Sequence, residues 1–220
     1  MTALSTREFC FDVLIFFIST FTLLGESKKP DPRLTFHVEA QPLHQQALTH
    51  DWHRFNGPHD NAVSGESHLQ LDWAGAPPSL LWEVTKGDGY ASPAISKGIV
   101  VMFHRLQGQE VIEGRDAETG NSIWQHAYPV EYRDRYGYLD GPRASPVIVG
   151  DFVYAHGVTA WLTCLELKSG RVHWKRNLGK EFQIPQNFFG KGSNPLPFGE
   201  TLILNIGGSK QRSVVGLDLK

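Results

Sequence analysis

The stretch Tyr128–Arg143, "YPVEYRDRYGYLDGPR", gathers the most unusual set of chemical groups in this 220-residue chain. Tyr132, Arg133, Arg135, Tyr136, Tyr138 and Arg143 combine aromatic faces with fixed positive charge. A guanidinium grips carboxylates with two parallel bonds and stacks on rings, so the set suits a carboxylate or a planar anionic ring. The same residues can instead brace an interface, with Asp134 and Asp140 as counter-ions. A second polar loop, "NLGKEFQIPQNFFGKGSN" from Asn177 to Asn194, carries Lys180, Gln183, Gln186, Asn187 and Phe188-Phe189, and can line the same site. Catalytic signatures are missing from the sequence. Ten His show no HExxH or paired Cys/His spacing, and there is no G-x-S-x-G, P-loop or dinucleotide fingerprint. No catalytic residue and no metal ligand is therefore assigned.

Loops need a scaffold, and the sequence repeats one. "YASPAISKGIVV" from Tyr90 and "RASPVIVGDFVY" from Arg143 share the order small-Ser-Pro, apolar run, Gly-containing pair, apolar run. Starting from Pro93, Pro146 and Pro195, the first runs end at Lys97-Gly98, Gly150-Asp151 and Gly199-Glu200. Gly supplies the positive φ of a tight hairpin, so each step predicts a turn between antiparallel strands. A second element follows each hairpin: "GRDAETGNSIW" (Gly114 to Trp124), "CLELKSGRVHW" (Cys164 to Trp174) and "GLDLK" (Gly216 to Lys220). Its spacing is constant. A small residue (Gly114, Cys164, Gly216) precedes an acid (Asp116, Glu166, Asp218), then Thr119 or Ser169, Gly120 or Gly170, and finally Trp124 or Trp174. Four short strands per repeat is the arithmetic of a propeller blade. An indole lying across a sheet needs a seat poor in side chains, which Gly114, Cys164 and Gly216 offer. Cys164 is then a small inert thiol beneath a ring.

"GRDAETGNSIW" and, less fully, "CLELKSGRVHW" resemble the tryptophan-docking repeat A-x-D-x-x-T-G-x-x-x-W of the pyrroloquinoline-quinone-like (quinoprotein alcohol dehydrogenase-like) β-propellers. "DWHRFNGPHDNAVSGES" (Asp51 to Ser67) and "YGYLDGPRASP" (Tyr136 to Pro146) look like segments of exported members of that superfamily. The resemblance covers roughly residues 51 to 220 and departs at Gly114, where the repeat has Ala, and at Cys164, Glu166 and Ser169. It implies an all-β fold: a partial β-propeller of four-stranded antiparallel blades near 90–125, 143–175 and 193–220. "LLWEV" (Leu80 to Val84) is then the last strand of a blade whose first three strands are absent, half of a ring-closing clasp. A ring has about 4–8 blades, so an incomplete ring of about three predicts a fragment or a truncated reading frame.

Fold does not name function, because the superfamily includes quinone-dependent dehydrogenases as well as cofactor-free scaffolds. A dehydrogenase would bring pyrroloquinoline quinone and calcium, with a Cys-Cys pair, a Glu/Asn/Asp calcium site and a catalytic Asp in an exposed loop. The chain has no Cys-Cys, and Asp60, Asn61 and Glu66 in "PHDNAVSGES" lack the spacing of a known calcium loop. The acids Asp116, Glu166 and Asp218 fit structural hydrogen bonding. The expectation is a scaffold that binds a protein or a small ligand through its inter-blade loops, with part of a quinone-dependent dehydrogenase as the alternative.

The rest of the chain sets the context. Twenty-two Gly, 13 Pro and 6 Trp, without long Ala/Glu/Lys/Leu runs, describe a β-rich chain. A net charge of −2 gives no electrostatic reason for a nucleic-acid partner. Val13 to Leu24, "VLIFFISTFTLL", has the length of a signal-peptide core and is short for a membrane span. Residues 1–25 therefore read as an export signal or short anchor that contacts the membrane during export to the periplasm or cell envelope. Residues 26–50, with Pro30, Pro32 and Pro42, read as a tether.

Overall fold

The apolar runs flanking each Gly step pair as antiparallel strands, and three such meanders follow one another in a computed structural model that describes residues 30–67, 69–185, 188–208 and 212–220. The segment read as signal or anchor lies outside the described residues. From Asp31 to Lys220 the chain forms one compact unit. No helix among the described residues is long and apolar enough to cross a membrane.

Sheet one contains β3 (Ala94–Ser96), β4 (Ile99–Leu106), β5 (Gln109–Asp116) and β6 (Ser122–Pro129), in that spatial order. Sheet two contains β7 (Val147–Val149), β8 (Phe152–His156), β9 (Trp161–Glu166) and β10 (Val172–Asn177), followed by the single-turn α1 (Leu178–Glu181). Sheet three has β11 (Leu196–Phe198), β12 (Thr201–Asn205) and β13 (Val214–Asp218). Neighbours within each sheet are antiparallel. At the β3–β4 turn Lys97 and Gly98 both take positive φ, 51° and 72°, the signature of a type I′ hairpin whose twist matches its strands.

The sheets pack face to face. Val101, Phe103 and Ile112 of sheet one meet Val153 and Leu165 of sheet two in one buried cluster. Tyr154, Leu162 and Cys164 of sheet two meet Leu202, Leu204 and Leu217 of sheet three in a second. At the start of the inner strands the repeat also writes a relay. The Ser92 amide donates to Ser145 Oγ (2.9 Å), and the Ser145 amide donates to Asn194 Oδ1 (2.7 Å). Residues before the sheets add a strap: the Trp52 carbonyl accepts from the Ile95 amide (2.9 Å) and the His53 carbonyl from the Ile148 amide (2.8 Å).

The tether needs correcting. Within residues 26–50, β1 (Leu34–Phe36) pairs antiparallel with β2 (Trp82–Val84), the core of "LLWEV", as a separate two-stranded sheet. Its anchor is ionic. Arg33 contacts Glu113 (2.9 Å), Asp31 contacts Arg115 (2.6 Å), and Arg115 returns to Glu113 (3.0 Å). Arg115, Glu113 and His104 are fully buried, with His104 Nε2 3.1 Å from the Glu113 carboxylate. Apolar periodicity could not reveal this attachment, because two opposite charges near a Pro pair carry it.

Candidate functional site

The repeat acids shape turns. Asp116 Oδ1 accepts from the amides of Glu118 (3.1 Å) and Thr119 (2.8 Å) and from the Thr119 hydroxyl (2.8 Å). Glu166 pairs with Ser169 (2.8 Å) and Arg171, and Asp218 accepts from the Lys220 amide (2.9 Å). These turns let Gly120 and Gly170 approach an indole from the preceding sheet. Trp124 lies opposite Gly114 in its own sheet, and its Nε1 donates to the Leu167 carbonyl of sheet two (2.7 Å). A Cβ on Gly170 would stand 2.5 Å from the Trp124 ring, so only Gly fits there. Trp82 repeats the arrangement one step earlier, with Nε1 on the Ala117 carbonyl (3.0 Å) and its ring against Gly120. Trp174 lies opposite Cys164, half-buried, and its Nε1 has no protein acceptor among the described residues. Burial pushes the Cys164 thiol up to about 12, which keeps it protonated and unreactive.

The loop between sheets one and two folds around Asp134. This carboxylate is buried and accepts from the Tyr136 amide (2.8 Å), and Arg143 Nη2 closes on it at 2.6 Å. Burial works against its charge, but the amides and the guanidinium hold its pKa below the usual carboxylate value. Tyr132 is buried, and its hydroxyl donates to the Phe188 carbonyl (2.7 Å). Arg143 also donates to the carbonyls of Leu139 (3.1 Å) and Phe189. Its guanidinium carbon stands 5.3 Å from the Tyr90 ring centre and 5.7 Å from that of Tyr132. Arg135 lies over the Phe188 ring at 4.8 Å, and Tyr136 stacks on Phe189 at 5.7 Å. Arg133 is exposed and stands apart from these contacts.

The two polar loops therefore meet, and between them opens a pocket of about 470 Å³ lined by Tyr90, Tyr138, Arg143 and Phe189. Of the residues expected at a binding site, Tyr138 and Arg143 line it. Tyr132 supports Arg143 from behind, while Arg135 and Tyr136 cover the Phe188-Phe189 side. Tyr90 was legible only as the residue opening a repeat, and the fold brings it across. The Arg143 charge is spent on Asp134, so the pocket offers ring faces and a neutralised guanidinium in place of a free cation. A second pocket of about 370 Å³ lies at the opposite ends of the inner strands, beside Asp51, Lys97 and Gly150. There Asp51 is occupied by Ser96 Oγ (2.6 Å) and the Lys97 amide (3.1 Å).

Behind the loops sit two buried titratable groups. His156 donates from Nδ1 to the Ser193 carbonyl (3.1 Å); burial, aided by the Lys191 cation, holds its pKa at about 4. The Glu110 carboxyl accepts from the Val158 amide (2.8 Å), and its burial raises its pKa.

The quinone and calcium implied by the family resemblance need a converging donor set. Among the described residues no three His, Cys, Asp or Glu side chains come together to hold a metal. Asp60 is paired with Arg54 (2.7 Å), Asn61 accepts from the Val63 amide (3.0 Å), and Glu66 accepts from the His50 amide (3.3 Å). These residues do not fit a calcium-bound quinone, and no chemical step is assigned to one.

No protein-family model and no curated protein matches the chain. Among solved structures it is similar to BamB from Moraxella catarrhalis, at 19% identity over 63% of this chain and 36% of that one, with a TM-score of 0.44. The quinohemoprotein alcohol dehydrogenase from Comamonas testosteroni gives 20% identity over 62% and 20% of the two chains, with a TM-score of 0.41. A europium-containing methanol dehydrogenase gives 11% over 56% and 21%, with a TM-score of 0.40. The chain thus spans about a third of the first protein's length and about a fifth of the other two. By its own strand order and sheet packing, the chain is an all-β, partial β-propeller of four-stranded antiparallel blades in which the third blade shows three strands.

Proposed function

We propose that this chain is an exported, non-catalytic propeller scaffold that binds a partner through the pocket between its inter-blade loops. The observation that carries the proposal is the exposed ring set of Tyr90, Tyr138 and Phe189 around a guanidinium already neutralised by Asp134. Exposed apolar patches rimmed by polar groups mark interaction sites. With Arg143 compensated, the preferred occupant is a flat, uncharged group, such as an aromatic side chain of a protein partner or a ring of a small ligand. The periplasm or cell envelope is the proposed location, on the strength of the apolar run at residues 13–24.

Fragment binding tests the pocket. N-acetylphenylalaninamide, followed by NMR shift changes, is expected to saturate at millimolar concentration, a typical affinity for one small ring. Tyr138→Ala is expected to weaken it about tenfold, and benzoate is expected to bind no tighter than the amide. Benzoate binding tenfold tighter would show that the Arg143 charge is available and overturn this reading, as would the absence of any saturable binding. The alternative, a portion of a pyrroloquinoline-quinone-dependent dehydrogenase, requires stoichiometric quinone uptake with Ca²⁺ and dye-linked alcohol or sugar oxidation. That outcome would replace the scaffold.

A further inference from the structure

A carboxyl group is shut between the first two blades, one link away from the loop that lines the ring pocket. Glu110 on β5 is fully buried beside Tyr128 of β6, its partner in the strand register. One oxygen, Oε1, accepts from the Val158 amide (2.8 Å). The other, Oε2, has no hydrogen-bond partner among the described residues, and neither has the Tyr128 hydroxyl or the buried Thr163 hydroxyl of β9. A Cβ on Gly157 would collide with both Oε2 and the Tyr128 oxygen, so both point at the turn that joins β8 to β9.

A charge on this carboxyl would go unanswered. Arg105, opposite Glu110 on β4, commits its guanidinium to the carbonyls of Tyr132 (2.7 Å), Asp140 (3.1 Å) and Val130 (3.2 Å). Lys175, reaching over from β10, holds its ammonium against the ring faces of Tyr128 (3.4 Å from the centre) and Trp161 (4.6 Å). His126 stands beside Tyr128, 6.0 Å between ring centres, and burial and the Lys175 cation favour its neutral form. Burial likewise raises the pKa of Glu110, so its neutral carboxyl persists above the ordinary carboxylate range.

The turn that Glu110 holds also holds the pocket. The Val158 carbonyl accepts from the Lys191 amide (2.9 Å), and a Cβ on Gly190 would collide with the Val158 side chain. Val158 packs in a buried cluster with Val130 and Tyr132, and the Tyr132 hydroxyl holds the Phe188 carbonyl (2.7 Å). Phe189, a wall of the pocket, lies between these two attachments.

We infer that Glu110 is a positioning residue for the ring pocket and makes it pH-sensitive: its neutral carboxyl fixes the β8–β9 turn and thereby Phe189, and its ionisation frees both. The pocket is taken here as the binding site proposed above. A carboxylate buried without a counter-ion is costly, and the nearest relief is to open the short turn of residues 157–160 to water. Binding at the pocket therefore weakens as pH rises.

Isotope-labelled full-length chain, in a mild detergent that shields residues 13–24, is titrated from mildly acid to mildly alkaline pH and followed by NMR. The amides of Val158, Phe189 and Gly190 are expected to shift along one curve, with its midpoint above the ordinary carboxylate range. N-acetylphenylalaninamide is expected to bind about tenfold more weakly at the alkaline end, as when a tenth of the molecules keep a competent pocket. Glu110→Gln keeps an acceptor for Val158 without the charge. It should show a flat Val158 resonance and bind the amide at every pH as the wild type does in acid. Lys175→Arg carries a fixed charge and should retain the step, which excludes Lys175 as the titrating group. Should Glu110→Gln fail to fold, Tyr128→Phe removes the hydroxyl placed to donate to the ionised carboxylate, and the step is expected to move to higher pH. A Val158 amide indifferent to pH, a step that survives Glu110→Gln or is unmoved by Tyr128→Phe, or a step in Val158 that leaves Phe189 in place would each overturn the inference. No amide binding at any pH, with the shared Val158–Gly190 step intact, would instead strike down the pocket's binding role and uphold the hold of Glu110 on Phe189.

Discussion

Trp124→Ala is expected to lower the free energy of unfolding by about 3–5 kcal/mol, the range for deleting a large aromatic side chain from a core. The indole is 7% exposed, lies between Gly114 and Gly170, and gives its N–H to the Leu167 carbonyl of the next blade. Removing it opens a cavity between two sheets and leaves a buried carbonyl without its donor. Trp124→Phe restores a ring without the N–H and is expected to recover part of the loss. Trp174→Ala is the internal control. That ring is half-buried and its N–H has no protein acceptor among the described residues, so the expected cost is about 1–2 kcal/mol. Urea unfolding monitored by circular dichroism separates the cases, and equal losses at the two positions would contradict the inter-blade role of Trp124. Native domains hold only about 5–15 kcal/mol, so Trp124→Ala is expected to leave little reserve at 37 °C.

Acid is expected to destabilise the protein in two stages. The imidazole of His156 is buried neutral at about 4 against 6.5 when exposed. Between those values the unfolded chain binds a proton that the folded chain refuses, so stability falls as pH drops from about 6.5 to about 4. The difference is worth on the order of 3 kcal/mol. Glu113 then acts at lower pH. Burial opposes its charge, but His104, Arg33 and Arg115 hold its pKa far below the usual carboxylate range. Its contribution is present above the unfolded value and is lost as pH falls through the folded one. Glu110 opposes this trend, because its raised pKa favours the folded state as pH falls. His156→Gln isolates the first stage. Its stability should change less than the wild type's between pH 6.5 and 4, and parallel curves would remove His156 as the cause. Glu113→Gln should blunt the second stage and also weaken the hold of Arg33 on the first blade.

The strands were legible in the sequence because their signals are local. Gly98, Gly150 and Gly199 mark hairpins through a backbone requirement, and alternating apolar residues on either side give direction. In the strand registers Trp124 lies opposite Gly114 and Trp174 opposite Cys164. Contacts set by long-range geometry were not legible. Tyr90 reaches the loop pocket because the relay through Ser92 and Ser145 brings the starts of two inner strands together, and nothing around Tyr90 signals that approach. The Asp31 and Arg33 attachment was hidden similarly, since ion pairs show no periodicity. The loop residues were recognisable as a group, but whether Arg143 would stay free for a ligand depended on where Asp134 pointed.

The strap formed by the Trp52 and His53 carbonyls changes how the blades come apart. Chains built of repeated units ordinarily open piecemeal from their ends, each unit answering only to its neighbours. Here one non-repeated stretch holds the Ile95 and Ile148 amides at once. Neither amide can exchange with solvent by opening its own sheet without disturbing that shared stretch, so the first two blades should exchange hydrogen as a single cooperative unit.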